Sequence, residues 1–402
     1  MAMLATLLSR SFTLADKLLP DSAFSTHDAE GLIRAANVSP SPDALAGLQQ
    51  LLASIDAESE LSLFGRVSLR WDFLRLLRNR QLIEDAHAAN PALSAAPIKA
   101  PLIILGLPRS GTSFLHTLMA EDPDNQVPRN WQMIYPAPRQ AGFNPRGDRR
   151  VTRVDKQLDL FNHLAPGFRD LHPIYADSPQ ECSEITAHVF QSLRFDSTHR
   201  VPSYFDWLER HGHDDAFVFH KKYLQFLQNG KASRWVLKCP DHTFTLDAIL
   251  RVYPDARFVI LHRDPIAVLG SVAYLTQVLR RPFLRGIDAG EIGAQVAARW
   301  TQGANLLLKF DQRTDVPASR KLHMQYEEFT AAPLAAIARI YAHFGETLSE
   351  TALKAMDRVI QAKPKGGYGR HAPYRLEAFK LNAQALQSAF RPYVLQYCRV
   401  AQ

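Results

Sequence analysis

The sequence predicts an α/β chain, with a central parallel sheet flanked by helices in three layers and a helical region at the N-terminus. Two observations carry this prediction. Short apolar runs of strand length recur at Leu102–Leu105, Arg234–Lys238 and Arg257–His262, and each is followed by a turn and then a helical pattern. Strands alternating with helices indicate crossover units, a parallel sheet and ligands at the strands' C-terminal ends. Residues 1 to about 95, in contrast, carry apolar positions only at helical spacing.

The first strand breaks at Gly106 into a turn holding Pro108, Arg109, Ser110 and Gly111, and a helical pattern runs from Thr112 to Ala120. Strand, glycine turn and helix N-terminus in this order form a phosphate cradle, because the first helical turn leaves N–H donors unpaired and its dipole favours an anion. The spacing of Gly106 and Gly111 makes the loop P-loop-like, but Thr112 stands where a nucleoside-triphosphate loop requires Lys. The cation here is Arg109, whose planar guanidinium can fork onto two anionic oxygens, and the hydroxyls of Thr112 and Ser113 follow.

The N-terminal helices are marked by Leu45, Leu48, Leu51, Leu52 and Ile55, and by Leu69, Trp71, Leu74, Leu76 and Leu77. Pro40 and Pro42 separate the first helices, and Asn90-Pro91 with Pro97 closes the region. The expected organisation is a helical annex over 1–95 and a nucleotide-binding domain over 96–402, with a helical insertion at about 125–230. Within the insertion, residues 125–150 show no clear period, and Val151–Leu164 reads as helix. Ser178-Pro179-Gln180-Glu181 reads as a capped helix start, with Glu181 and Glu184 one turn apart on a helix reaching Phe195.

The second strand, Arg234–Lys238, leads to Cys239-Pro240-Asp241-His242 and a helix over Thr243–Val252. The third ends at Arg263-Asp264-Pro265, and the helix after it carries Ser271. A helix over about 291–310, a strand over Lys321–Tyr326 and helices over 332–344 and 349–361 follow. Next come a basic glycine-rich stretch, Lys363–His371, and a last helix to about Cys398. Arg263 and Ser271 supply a charge and a neutral hydrogen bond toward one oxygen-rich group. Together with the Lys-less loop they imply a ligand with phosphates on both sides of a nucleoside.

The chain has 402 residues, 46% hydrophobic and 22% charged, which is the composition of a globular protein with a sizeable core. A net charge of +7 favours an anionic ligand, and because Lys and Arg form no stripe interleaved with aromatics, a small polyanion is favoured over nucleic acid. Cys182, Cys239 and Cys398 are odd in number and far apart, which fits a reducing compartment and gives no zinc ligand set. No apolar run approaches a membrane span, so a cytoplasmic protein is expected, with at most transient membrane contact.

Gly106–Leu115 resembles the 5′-phosphosulfate loop of the sulfotransferase family, and Arg257–Ser271 resembles its 3′-phosphate segment. The resemblance is closest to the bacterial branch with a long helical N-terminus, where Leu76–Arg80 and Tyr326-Glu327-Glu328-Phe329 also find counterparts. It implies the donor 3′-phosphoadenosine 5′-phosphosulfate (PAPS), without a metal. It also implies binding roles for Arg109, Ser110, Gly111, Thr112 and Ser113 at the 5′ end and for Arg263 and Ser271 at the 3′ end. Lys365–His371 is similar to a loop that the family lays against the nucleotide.

Arg109 is the residue expected to stabilise the bridging and leaving oxygens, a role that many cytosolic members of the family give to Lys; should a Glu be the base, Lys238 is an electrostatic helper or only a strand-end surface cation. His242 is the expected general base, since imidazole titrates near neutrality and lies just past a strand end, two residues later than the family's catalytic His. Gln132 stands where bacterial members show Glu, so Glu181 and Glu184 are the alternative bases. The expected acceptor is a small hydroxylated molecule, hydrophobic, lipid-like, polyketide or phenolic. Two other functions compete, a P-loop kinase or nucleotide hydrolase and a nucleotide-binding protein without catalysis.

Overall fold

The protein is described here by a computed structural model covering residues 28–140, 142–231, 234–362 and 375–398. Among these residues, β1 (Leu102–Gly106), β2 (Asn125–Gln126), β3 (Arg234–Lys238), β4 (Arg257–His262) and β5 (Lys321–Gln325) form one parallel sheet in the order β2-β3-β1-β4-β5. The helices used below are α1 (Pro42–Glu58), α2 (Leu63–Ala89), α3 (Thr112–Met119), α4 (Leu246–Val252), α5 (Ile266–Arg280), α6 (Ala289–Asp311), α7 (Tyr326–Ala331), α8 (Pro333–His343) and α9 (Ala383–Tyr397). No helix among the described residues is long and apolar enough to cross a membrane.

The chain divides into two compact units. One takes residues up to Pro97 with Pro128–Ala232 and Thr276–Ile287, and the other takes Ile98–Val127, Ser233–Leu275 and residues from Asp288 on. The second unit contains the sheet. Strands β1, β3 and β4 are buried beyond their first residue because helices cover both faces, hence their unbroken apolar sequences. On one face Ile104, Val259 and Leu261 pack with Leu115 and Leu118 of α3 and Ile337 and Ile340 of α8. On the other, Phe258 meets Phe310 of α6 edge-on, with ring centres 4.8 Å apart.

Strand β1 lies between β3 and β4. The chain runs outward on one side of β1 and resumes on the other, so the connections leaving β1 and β4 part at their C-terminal ends. This is the topological switch point where open α/β sheets bind ligands.

The first unit is helical. Ser41 caps α1 by accepting from the Ala44 N–H, Pro42 opens that helix, and Ser62 caps α2 through the Gly65 N–H. Phe73 of α2 sits edge-on to Phe190 and Phe195 at 5.3 and 6.0 Å. At Gly47 of α1 a Cβ would lie 2.6 Å from the Phe190 carbonyl oxygen, so only glycine permits this approach.

Two local expectations change. Glu181–Phe195 is not one helix. A four-residue helix at Ser183–Thr186 leads into a 3-10 turn at Ala187–Val189, which ends at Phe190 with a φ of 55°. The expected start at Ser178-Pro179 is instead a bend followed by an isolated bridge to Arg129, because its backbone is tied to an earlier segment: Asn130 N–H donates to Ser178 O at 3.0 Å, Trp131 N–H to Ala176 O at 2.8 Å and Gln180 N–H to Pro128 O at 2.8 Å. Glu181 therefore precedes the helix that carries Glu184. Similarly, Thr243–Val252 divides into a 3-10 turn at Pro240–Phe244 and α4.

Candidate active site

The loop after β1 is built by tight backbone contacts. Gly106 has a φ of +148°, and a Cβ there would come within 2.6 Å of the Leu261 carbonyl oxygen and 2.7 Å of Ser110 Oγ. Ser110 is fully buried and its hydroxyl donates to Leu107 O at 2.6 Å, which closes the turn. Arg109 takes a left-handed φ of +67°, unfavourable for a side chain that bears Cβ, and Gly111 follows at +87°. Helix α3 then begins without a side-chain cap, leaving its first N–H groups directed at the loop's concavity.

The neighbouring strands bring cations to this loop. Ile104 of β1 pairs with Lys238, the last residue of β3. Buried Lys238 donates from Nζ to Ser113 Oγ at 2.9 Å, placing a positive charge at the N-terminus of α3. Gly106 pairs with Leu261 of β4, and two residues on Arg263 donates to the backbone carbonyl of Arg109 at 2.7 Å. The Arg263 guanidinium carbon lies 3.9 Å from the centre of the Tyr326 ring. Asp264 accepts from the Ile266 N–H at 2.9 Å, so this carboxylate starts α5. Ser271 is buried in α5, and its hydroxyl has no hydrogen-bond partner among the described residues.

Behind Arg263, a chain of hydrogen bonds fixes the end of β4. His323 Nε2 lies 3.1 Å from Asp311, His323 Nδ1 lies 2.8 Å from His262 Nε2, and His262 Nδ1 lies 2.8 Å from the Tyr393 hydroxyl. One proton arrangement satisfies every member. Asp311 accepts from His323 Nε2–H, His323 Nδ1 accepts from His262 Nε2–H, and His262 Nδ1 accepts from Tyr393 O–H. Burial, reinforced by the neighbouring His323, pushes His262 down to about 3, which keeps it neutral as this arrangement requires.

His242 is buried within the Pro240–Phe244 turn, four residues beyond Lys238. That turn is steadied by Arg299, which pairs with Asp241 at 3.8 Å and lies over the Phe244 ring at 5.1 Å. Arg109, Ser110, Gly111, Thr112, Ser113, Lys238, His242, Arg263 and Ser271 all belong to the sheet-containing unit. Glu181 and Glu184 belong to the other. There Glu184 pairs with Arg194 at 3.2 Å, and Arg194 also binds Asp72. Burial opposes ionisation of Asp72, but Arg194 and Arg75 more than offset it and hold the carboxyl well below its usual range. The Lys365–His371 stretch lies outside the described residues.

Tyr326 is not among the binding residues read from the sequence. The sequence pattern runs its strand through Tyr326, whereas β5 ends at Gln325, so that Tyr326 directly follows a strand as Arg263 does.

The profile describing the sulfotransferase family matches residues 101–350. The omega-hydroxy-beta-dihydromenaquinone-9 sulfotransferase Stf3 of Mycobacterium bovis is 24% identical over 300 residues, spanning 71% of this chain and 70% of Stf3. The crystal structure of sulfotransferase STF1 from Mycobacterium tuberculosis H37Rv is similar with a TM-score of 0.79 and 27% identity, covering 94% of this chain and 100% of that one. Sulfotransferase STF9 from Mycobacterium avium gives a TM-score of 0.83 at 26% identity, covering 94% and 98%.

Proposed function

The chain belongs to the sulfotransferase family, and from that premise we propose that it moves a sulfuryl group from PAPS to a hydroxyl of a small hydrophobic acceptor, releasing adenosine 3′,5′-bisphosphate. The observation that carries the donor assignment is the bond from Arg263 to the Arg109 backbone, which joins two cationic arms at adjacent strand ends.

The residues present fit this donor. The uncapped start of α3 with Arg109, Ser110, Gly111, Thr112 and Ser113 suits the 5′ phosphosulfate. Arg263 and the buried, unpartnered hydroxyl of Ser271 suit the 3′ phosphate. PAPS, when bound, supplies the activated sulfuryl group.

Arg109 offers a forked guanidinium to the oxygens that gain charge in the reaction, and Lys238, through Ser113, adds a fixed positive charge at the same helix start. His242 removes the acceptor's proton as general base. Glu181 is the alternative base. Glu184 is less suited, because its carboxylate is engaged by Arg194. The name of Stf3 specifies an ω-hydroxylated menaquinone derivative, which supports a hydrophobic hydroxylated acceptor for this chain too.

The test is calorimetric titration of the full chain with adenosine 3′,5′-bisphosphate, with ATP as control and no magnesium. Selective binding that weakens at least about tenfold in Arg263→Ala is the expected result, since a charge-assisted pair is worth about 1.5–3 kcal/mol. Preference for ATP, or bisphosphate binding unaffected by Arg263→Ala, overturns the donor assignment.

A further inference from the structure

We propose that Tyr326 is a positioning residue that holds the two cationic arms at a fixed separation, and so sets selectivity for a nucleoside with phosphates on both sides over one with a 5′ phosphate alone. This rests on the donor reading above.

One ring touches both arms. Arg263 lies over the face of Tyr326 at 3.9 Å, the distance of direct guanidinium–ring contact. At the edge of the same ring, a Cβ built on Gly111 would sit 3.0 Å from Cδ2 and 3.2 Å from Cε2, so the α-carbon of Gly111 rests against it. Gly111 is the N-cap of α3 and the last turn of the 5′ loop. Any displacement of the ring therefore moves the 3′ arm, the 5′ loop or both.

The ring is itself well fixed. Strand β5 pairs with β4 so that His262 stands opposite Gln325, and Arg263 and Tyr326 are the next residue on each chain. Tyr326 opens α7, its carbonyl accepts from Thr330 Oγ1 at 2.9 Å, and one turn on Phe329 is fully buried against Phe114 of α3. The support is thus anchored in the sheet and in the helix whose N-terminus it borders.

The contact also suits anion recognition chemically. A guanidinium lying on a ring face keeps its N–H donors at its edge. One of them is committed to the Arg109 carbonyl, and the others remain in the plane for a ligand oxygen. Without the ring, Arg263 must be ordered afresh each time it receives a phosphate, at a cost in side-chain freedom.

The test measures dissociation constants of adenosine 3′,5′-bisphosphate and adenosine 5′-phosphate for the full chain and for Tyr326→Phe, Tyr326→Leu, Arg263→Ala and the Tyr326→Leu/Arg263→Ala pair. We expect Tyr326→Leu to weaken bisphosphate binding about tenfold and monophosphate binding by no more than about threefold, the scale of a desolvated cation–ring contact. Tyr326→Phe should restore the wild-type ratio, and Tyr326→Leu should cause no further loss once Arg263 is Ala. Thermal melts confirm folding, and Tyr326→Met replaces Leu if the latter does not fold.

Unchanged selectivity in Tyr326→Leu, equal loss for both nucleotides, a Phe variant as impaired as Leu, or additive loss with Arg263→Ala each overturn the proposal. A wild-type protein that does not prefer the bisphosphate overturns the donor reading itself. A wild-type preference that Tyr326→Leu leaves intact overturns only the role of the ring.

Discussion

Lowering the pH from 7 to 5 should remove most of the folding free energy, through four buried imidazoles. His188, His199, His220 and His262 are no more than 5% exposed. Burial pushes His188, His220 and His262 from 6.5 down to about 3 and His199 to about 4. The charges of Arg75 on His188 and Arg194 on His199 act in the same direction. In the folded protein these rings stay neutral, whereas the unfolded chain binds a proton on each as the pH falls through about 6.5. The unfolded state thus holds more protons throughout the interval from about 6.5 to about 3, and stability that is complete above 6.5 is lost progressively below it. At pH 5 each ring accounts for a loss of about 2 kcal/mol and the four for about 8 kcal/mol, against a total stability of about 5–15 kcal/mol. Carboxylates act in a lower window, since those held low, such as Asp72, lose their contribution only as pH falls below the ordinary value of 3.8. Urea unfolding at intervals between pH 7 and pH 5 measures the effect, with an expected slope near pH 5 of about 5 kcal/mol per pH unit. A stability that stays flat over this range, or NMR titration of these four rings near pH 6.5 in the folded protein, refutes the reasoning.

Two further outcomes concern the site. His242→Asn should lower turnover by about 10²–10⁴-fold while calorimetry finds the dissociation constant for adenosine 3′,5′-bisphosphate within about twofold of wild type; full turnover with an inactive Glu181→Gln would transfer the base role to Glu181. Gly111→Ala places a Cβ at a φ of +87° and 3.0 Å from Tyr326, so it should cost about 1–2 kcal/mol of stability from backbone strain and weaken bisphosphate binding, as read by thermal melts and the same titration.

The parts of the site that could be read from sequence are those encoded by neighbouring residues. Gly106, Arg109 and Gly111 lie within one turn, and their need for unusual backbone angles and an uncapped helix start is local chemistry. Arg263 is equally plain, as a cation at the end of an apolar strand. The short β2 was not readable, because two residues, Asn125 and Gln126, carry no period and become a strand only by pairing with Arg234 and Trp235. The helix expected from Ser178 failed for a related reason. Ser178 turns its hydroxyl back to accept from the Tyr175 N–H, and backbone hydrogen bonds from Asn130, Trp131 and Gln180 hold the segment out of a helix.

Register decides what lies between these cases. Two parallel strands paired side by side bring the residues after each strand together, so the contact of Arg263 with Tyr326 follows once His262 is known to stand opposite Gln325. The same pairing explains why His262 meets His323: the two point to the same side of adjacent strands, where Asp311 and Tyr393 complete the chain. Neither contact has a sequence motif, since each is set by how far β5 slides along β4. A slip of one residue would exchange the faces of β5, burying His323 where Met324 now packs and moving Met324 to the half-buried side beside His262 and Tyr397. The apolar core beneath Met324 therefore fixes the register, and the register fixes both the support under Arg263 and the proton arrangement behind it.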